Sequence, residues 1–483
     1  YIFMLFNTVT FTLFFLAVLA TYWTIGRKNI RLQNLFLIAA SYFFYAQWDV
    51  RFLGLIIFST LLDYLVGLGF HKYSQPRIRK LLLLTSLTGN LSVLFYFKYF
   101  NFFIDSFITL FSQIGVNVHY STAVIILPVG ISFYTFQTLS YSIDIYRQRL
   151  KPTTDLISFT AFVAFFPQLV AGPIERARNL IPQFQSVRSI QPQQLIEGFE
   201  LIIWGLFKKM VIADQSAVYV NQIFADSANL NGITLLIGAL LFMNQLYMDF
   251  SAYSDIAIGI SRFFGFNLMR NFAYPYFSRD IAESWSRWHI SLTTWFRDYV
   301  FVPLAIGKSD QKWRKFIAVL MVFGLCGLWH GPKWNFVIWG LLFAIMYSRH
   351  IFWKRRTART AIVAENTFFP TLTELRQMIL TTLAVTIPGI FFRSESASQG
   401  LHIILEIFSF SLFELPEIYP TKSLILLIVF FFCIEWIGRH HWSPLTFFHR
   451  YPYWTQWAVY QIVIALTWYY RATDNINFIY FQF

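Results

Sequence analysis

Long apolar stretches recur along the whole 483-residue chain, and this repetition constrains its fold more than any other feature. Only 13% of the residues are charged, whereas soluble globular domains carry about 25%. Because a membrane-spanning helix needs about 20 mostly apolar residues, the pattern predicts an all-α, polytopic membrane protein. We expect about 11–13 transmembrane or re-entrant helices, at residues 3–24, 33–48, 51–70, 81–99, 121–143, 156–172, 195–213, 232–262, 315–330, 334–350, 375–392, 422–438 and 452–470.

Neither a soluble domain nor an internal repeat interrupts the apolar stretches, so we predict one integral membrane domain over residues 1–483. The net charge of +14 does not indicate nucleic-acid binding, because the basic residues cluster in short loops between apolar stretches. The positive-inside rule places such loops in the cytoplasm. The predicted cytoplasmic loops are 27–31, 71–80, 147–151, 308–315 and 349–360.

Two carboxylates lie in the apolar segment "NQLYMDFSAYSDIAIGISRFFG", residues 244–265, which predicts a helix. Asp249 and Asp255 are six residues apart and therefore lie on different faces. Ionisable residues at membrane depth generally mark function. The alternative is internal pairing with an arginine or a backbone group, since a buried carboxylate must be paired or neutralised.

An aromatic segment, residues 279–305, repeats tryptophans at helical spacing and carries charged residues on its other faces. It is too charged to face lipid, so we predict a short helix shielded inside the protein. The polar residues of interest are Arg287, His289, Arg297 and Asp298. Taken alone, His289 fits a hydrogen-bonded core histidine better than a catalyst.

Three prolines and a glycine interrupt the segment "FFPQLVAGPIERARNLIPQF", residues 165–184. A broken backbone at membrane depth is tolerated only around a cavity or within protein. An ordinary surface loop is the alternative.

One histidine, His330, stands in "CGLWHGPKWN" between two strongly apolar runs, where Gly331-Pro332 predicts a turn. A neutral imidazole accepts a proton near neutral pH, which suits a general base. The alternative is a helix-end histidine that caps a carbonyl group. The sequence has no histidine spacing typical of a metal site, no serine-nucleophile elbow and no phosphate-binding loop, so we predict no bound metal.

The ordered motifs resemble the membrane-bound O-acyltransferase family, in the subgroup of the bacterial alginate O-acetyltransferase membrane subunit. The resemblance is carried by "SRWHISLTTWFRDYVFVPL" followed by "GLWHG" and "WNFVIWG", and by "LPVGISFYTFQTLSYSIDIYR", "FFPQLVAGPI" and "MDFSAYSDIAIGI". The chain departs from the family pattern at three places: Ser286-Arg287 replaces a double arginine, Ala252-Tyr253 replaces Gly-Tyr, and "AIGKSD" replaces a glycine-rich turn.

The resemblance implies helices around a central funnel with a histidine at its waist. It assigns His330 as the essential histidine and His289 as the second one. It also implies substrate-binding or supporting roles for residues of the surrounding motifs: Asp249, Asp255, Arg287, Trp288, Trp329, Arg297 and Asp298.

The activity implied by the resemblance is transfer of an acyl group, expected to be acetyl, from a cytoplasmic thioester such as acetyl-CoA. No bound cofactor is expected. The acceptor is a hydroxyl group of an extracytoplasmic polysaccharide or partner protein, and a periplasmic or membrane-anchored transferase completes delivery. The expected location is the bacterial inner membrane, in contact with lipid.

Three alternatives remain at this stage: D-alanyl transfer to teichoic acid, peptidoglycan O-acetylation, and a membrane transporter. A transporter predicts inverted repeats with paired interrupted segments, and the sequence contains neither.

Overall fold

The computed structural model describes residues 4–25, 29–116, 125–170, 172–305, 311–352, 362–472 and 478–479. Within these ranges the chain forms 21 α-helices and no β-strand, which confirms the predicted all-α class. Most of the basic loop 349–360 and parts of the loops 27–31 and 308–315 lie outside the described residues.

Six of the described helical segments are long and apolar enough to cross a membrane, as judged by length and composition. They support a multi-pass membrane protein and are Val50–Lys72, Pro76–Gln113, Gly232–Phe263, Lys312–His330, Trp334–Phe352 and Leu372–Arg393. The first helix, Val9–Ile25, is apolar but shorter.

Some predicted spans are divided in the structure. Residues 156–172 form two short helices, because Pro167 lies in the first turn of the second helix and cannot continue the preceding hydrogen-bond ladder. Residues 195–213 begin as an α-helix and end as a π-helix at Lys208–Ala213.

The chain divides into two compact units. The first comprises residues 1–194 and 260–269. Its helices are α1 (Val9–Ile25), α2 (Ile30–Ala46), α3 (Leu53–Lys72), α4 (Pro76–Leu94), α5 (Phe100–Gln113), α6 (Ile131–Tyr146), α7 (Leu156–Ala164), α8 (Phe166–Leu169) and α9 (Ala177–Gln185).

A buried polar cluster fastens three helices of the first unit together. The carboxylate of Asp63 on α3 accepts hydrogen bonds from Ser86 and Asn90 on α4 and from Ser142 on α6. These partners satisfy a carboxylate that would otherwise be costly to bury.

The proline-interrupted segment also lies inside the first unit. Glu175 is buried and accepts a hydrogen bond from the backbone N–H of Met269. The nearby residues Phe165, Leu169 and Ile174 of the same segment are also buried. The surface-loop alternative is therefore wrong for these residues.

The second unit comprises residues 195–259 and 270–483. Its helices are α10 (Pro192–Phe207, from residue 195 onward), α11 (Asp214–Ala225), α12 (Gly232–Phe263, up to residue 259), α13 (Ile281–Arg287), α14 (Ile290–Phe296), α15 (Val302–Ala305), α16 (Lys312–His330), α17 (Trp334–Phe352), α18 (Leu372–Arg393), α19 (Ala397–Ile407), α20 (Lys422–Ile437) and α21 (Tyr453–Tyr470). The prediction of a single domain over residues 1–483 stays a prediction.

Helices α16 and α17 form a tight hairpin because glycines bring their backbones together. A methyl group at Gly327 would clash with the carbonyl oxygen of Phe336, and one at Gly340 would clash with that of Phe323. Small residues at such crossings allow the close helix packing typical of membrane proteins. This packing sets His330, at the end of α16, beside Trp339 of α17.

Candidate active site

His330 is the last residue of α16 and is buried among aromatic rings. Its ring lies edge-on to the rings of Trp339, Phe392 and Trp329, at centroid distances of 4.9, 5.1 and 5.1 Å. Cys326, one helical turn earlier, places its Sγ 4.0 Å from His330 Nε2. The imidazole therefore stands in an apolar enclosure in which bulk water is excluded.

The turn that follows His330 is as the sequence predicts. Helix α16 ends at His330, residues 331–333 are non-helical, and α17 begins at Trp334. The Gly331 N–H closes the last turn by donating to the carbonyl oxygen of Gly327.

The aromatic segment 279–305 does not form one short helix as predicted, because the backbone breaks at His289. Helix α13 ends at Arg287 and α14 begins at Ile290. Between them His289 has a φ of 41° and a ψ of 56°, in the left-handed region that non-glycine residues seldom occupy. A strained backbone of this kind persists only where its surroundings hold it firmly.

Asn271 supplies that support through its backbone and its side chain. The Ile290 N–H donates to the Asn271 carbonyl oxygen at 2.8 Å, and the Ser291 hydroxyl donates to Asn271 Oδ1 at 2.6 Å. The Asn271 side-chain amide in turn donates to the Ser254 hydroxyl of α12 at 2.8 Å. The conformation of His289 is thus fixed against helix α12.

The imidazole of His289 is almost fully buried and packs against Phe250, Trp329 and Phe272, at ring-centroid distances of 4.6, 5.6 and 6.5 Å. Among the described residues, neither ring nitrogen has a hydrogen-bond partner. Within the described part of the chain, His289 is therefore a buried histidine without a hydrogen bond, and the alternative of a hydrogen-bonded core histidine is not supported. Burial lowers the pKa of His289, which lies outside the six spanning helices, to about 3, so the ring is neutral.

A single indole joins the two histidines. The Trp329 ring contacts His330, its neighbour in sequence, and also contacts His289 from the other segment. Two buried imidazoles that are 41 residues apart in the chain therefore lie on one aromatic side chain. This arrangement is the basis of the candidate active site.

The two aspartates of α12 are held by consecutive lysines of the π-helix Lys208–Ala213. Lys209 Nζ lies 3.0 Å from Asp249 and 2.8 Å from Asp214, and Asp249 also accepts the Ile479 N–H at 2.7 Å. Lys208 Nζ lies 2.6 Å from Asp255. Internal pairing is therefore present. The expected backbone partner is found at Asp249, and lysines stand in place of the expected arginine.

Arg287 and Trp288 adjoin His289 in the sequence. Arg287 donates to Glu283 at 2.9 Å and to the Ala273 carbonyl oxygen at 3.2 Å, which fastens the end of α13. The Trp288 ring packs edge-on to Phe272 at 5.2 Å. Both residues therefore border the site, Arg287 through the backbone around His289 and Trp288 through a shared aromatic contact.

Arg297 and Asp298 form an ion pair of 2.8 Å with each other, and 60% of the Arg297 side chain is exposed. An exposed pair of this kind contributes little to stability.

Among the described residues, no group of three or more His, Cys, Asp and Glu side chains is placed to hold a metal ion.

Several residues of the site were not identified from the sequence. Trp339 and Phe392 enclose His330, Phe250 covers His289, and Lys208 and Lys209 pair with the aspartates. The one local signal is the lysine pair, since two adjacent charges at the end of an apolar stretch indicate buried partners. The aromatic residues carry no such signal, because the chain is 20% aromatic.

The sequence is similar to those of known proteins. The sequence model of the membrane-bound O-acyltransferase family matches residues 2–387. The probable alginate O-acetylase AlgI of Azotobacter vinelandii is 37% identical over 429 residues, which cover 86% of this chain and 82% of that protein. The peptidoglycan O-acetyltransferase of Helicobacter pylori is 33% identical, over 83% of this chain and 79% of its own. The teichoic acid D-alanyltransferase of Bacillus subtilis is 31% identical over 47% of this chain and 60% of its own.

Proposed function

Because the chain belongs to the membrane-bound O-acyltransferase family and is an acyltransferase, we propose that it transfers acetyl from cytoplasmic acetyl-CoA to an extracytoplasmic hydroxyl group. The acceptor is a hydroxyl of an exopolysaccharide of the alginate type, or of a protein that delivers acetyl to it. The observation that carries the proposal is the contact of both His289 and His330 with the ring of Trp329.

In the proposed reaction His330 is the general base. It takes the proton of the acceptor hydroxyl while that oxygen attacks the thioester carbonyl carbon. The C–S bond then breaks, and the leaving thiolate takes the proton from His330, so that an O-acetyl ester and a free thiol result. The aromatic enclosure limits hydrolysis of the donor by excluding water, and the residues require no metal for these steps.

We assign His289 to binding of the donor. Its ring is neutral, and its two nitrogens have no hydrogen-bond partner among the described residues. A neutral imidazole N–H can therefore donate to the thioester carbonyl oxygen as negative charge develops there, which is a common form of transition-state stabilisation. In this role His289 acts on the reacting carbonyl, and His330 acts on the acceptor.

The extent of each match favours acetyl transfer over D-alanyl transfer. The alginate and peptidoglycan O-acetylating relatives match 86% and 83% of the chain, whereas the D-alanyltransferase of Bacillus subtilis matches 47%. Peptidoglycan is the second candidate acceptor.

The proposed location is the bacterial inner membrane, with helices arranged around a central funnel and a histidine at its waist.

One reconstitution tests both the reaction and the need for a partner. The purified protein is placed in liposomes with radiolabelled acetyl-CoA inside and acceptors outside. We expect thiol release and label on short oligosaccharides, but little label on the polymer until a periplasmic extract from polymer-producing cells is added. The reason is that the described loops contain no separate domain to hold a polymer. Absence of thiol release would contradict the proposed reaction, and full polymer acetylation by the protein alone would contradict the need for a partner.

A second experiment tests the orientation. The segment 349–360 contains five Lys or Arg residues and no acidic residue. Residues 353–360 of this segment lie outside the described residues. The positive-inside rule places it in the cytoplasm. A single cysteine at Thr357, with Cys326 and Cys433 both replaced, is expected to resist an impermeant thiol reagent in intact cells and to react after permeabilisation. Labelling in intact cells would reverse the orientation and place the turn after His330 on the cytoplasmic side.

A further inference from the structure

The second unit contains an apolar cavity of about 40 Å³ that the proposed reaction does not use. Its wall is mostly aromatic and aliphatic, with contributions from Met243, Trp285, Trp288, Trp339, Phe343 and Val385. Four further lining residues carry hydroxyl groups, namely Tyr276, Ser284, Thr381 and Thr382. Most of the wall is nevertheless apolar, so hydrocarbon matches it better than water does.

The indole of Trp339 belongs both to this cavity and to the enclosure of His330. It lines the cavity, and its ring lies edge-on to the His330 ring at a centroid distance of 4.9 Å. His330 is not among the lining residues. The indole therefore stands between the proposed general base and the apolar space.

Trp339 is also held firmly in this position. Its ring packs against Phe343 at 5.2 Å, Phe392 at 5.3 Å and Trp285 at 5.8 Å. The next residue, Gly340, lies so close to the Phe323 carbonyl oxygen that even a methyl group would clash. Neither the ring nor its backbone has room to move aside without repacking the hairpin.

We infer that Trp339 is a specificity-determining residue: its indole closes the apolar cavity to the acyl group at His330 and restricts transfer to acetyl. The inference rests on the proposed function. The carbonyl carbon must lie near His330 to react, so the remainder of the acyl chain must extend away from that point. Acetyl needs space for one methyl group, whereas a longer chain needs the cavity.

The expected effect of opening the cavity follows from methylene burial. Burial of each methylene of an acyl chain is favourable, and enzymes discriminate between substrates that differ by one methylene by roughly 10–200-fold. In Trp339→Ala, removal of the indole connects the cavity to the space beside His330. Chains two to four carbons longer than acetyl then gain apolar burial that the wild-type protein denies them.

The test compares acetyl-CoA, butanoyl-CoA and hexanoyl-CoA as donors, with release of the free thiol as the readout. We expect Trp339→Ala to raise the ratio of butanoyl to acetyl kcat/KM by at least about 10-fold, and Trp339→Phe to raise it less. The matched control is Trp204→Ala. It removes an equally buried indole, which stacks on Phe207 and Phe431 and does not line the cavity, and its ratio should equal that of the wild type.

The outcomes separate this inference from the proposed function. Acetyl transfer by a folded Trp339→Ala protein with the wild-type donor ratio would overturn the inference alone, as would an equal change in Trp204→Ala. If Trp339→Ala does not fold, an unchanged ratio in Trp339→Phe is the overturning result. Absence of thiol release from every donor in the wild type would overturn the proposed function and this inference with it.

Discussion

Replacing His330 with alanine is expected to abolish acyl transfer while the protein stays folded. A histidine general base typically contributes about 10²–10⁴-fold to a reaction rate, and no other described residue occupies its place in the enclosure of Trp329, Trp339 and Phe392. The fold should survive because His330 ends helix α16, and the glycine contacts of Gly327 and Gly340 hold the hairpin without it. Thiol release and thermal unfolding of the purified protein are the two measurements.

The matched control is His402→Ala, which removes an exposed histidine from α19 and should keep wild-type activity. Near-normal transfer by a well-folded His330→Ala protein would disprove the role of general base. Loss of folding in His330→Ala would instead show that the ring is needed for packing.

His289 requires a different substitution, because its left-handed backbone is part of the fold. Asparagine tolerates this conformation better than most residues, so His289→Asn removes the imidazole and preserves the turn. We expect a folded protein with impaired transfer, although less completely than in His330→Ala. Misfolding of both His289→Asn and His289→Ala would favour a purely structural histidine.

The largest expected loss of stability follows from replacing Lys209 with methionine. Lys209 is buried between Asp249 and Asp214, which are buried themselves. Removal of one partner from a buried ion pair typically costs about 3–5 kcal/mol, because the remaining charge is left without compensation. Here two carboxylates lose their cation, so we expect the unfolding temperature in detergent to fall sharply and the yield of folded protein to drop.

The neighbouring lysine provides the comparison. Lys208→Met also removes a buried cation, but its partner Asp255 is 20% exposed and faces a lower desolvation cost. We therefore expect a smaller loss of stability. The triple variant Lys209→Met, Asp214→Asn, Asp249→Asn should recover part of the loss, since it leaves no buried charge in the cluster. Equal unfolding temperatures for Lys209→Met and the wild type would contradict this account.

These ion pairs bear on the role of Asp249. Its contacts with Lys209 and the Ile479 backbone N–H account for a buried carboxylate without any substrate. Asp255 is likewise paired with Lys208. Participation of either aspartate in substrate binding stays a prediction, and the stability measurements on the lysine variants address the structural role directly.

The sequence by itself determined the all-α membrane class, the helix that carries Asp249 and Asp255, and the turn after His330. These features depend on local properties. The hydrophobic effect requires an apolar run of sufficient length for each span. The adjacent Gly331 and Pro332 favour a turn, and helix α16 ends directly before them. The motif around His330 could be identified from the sequence because its residues are contiguous.

The tertiary structure decided which distant residues meet. The break at His289 follows from hydrogen bonds to Asn271, which no helical periodicity reveals. The pairing of Lys209 with Asp249 joins two helices, and the contact between Trp329 and His289 joins two segments that the sequence suggests only separately. Trp339 is one of 16 tryptophans, and only close packing of α16 against α17 at Gly340 places it on His330. Such contacts depend on the packing of residues far apart in the chain, and a local pattern carries no information about its partner.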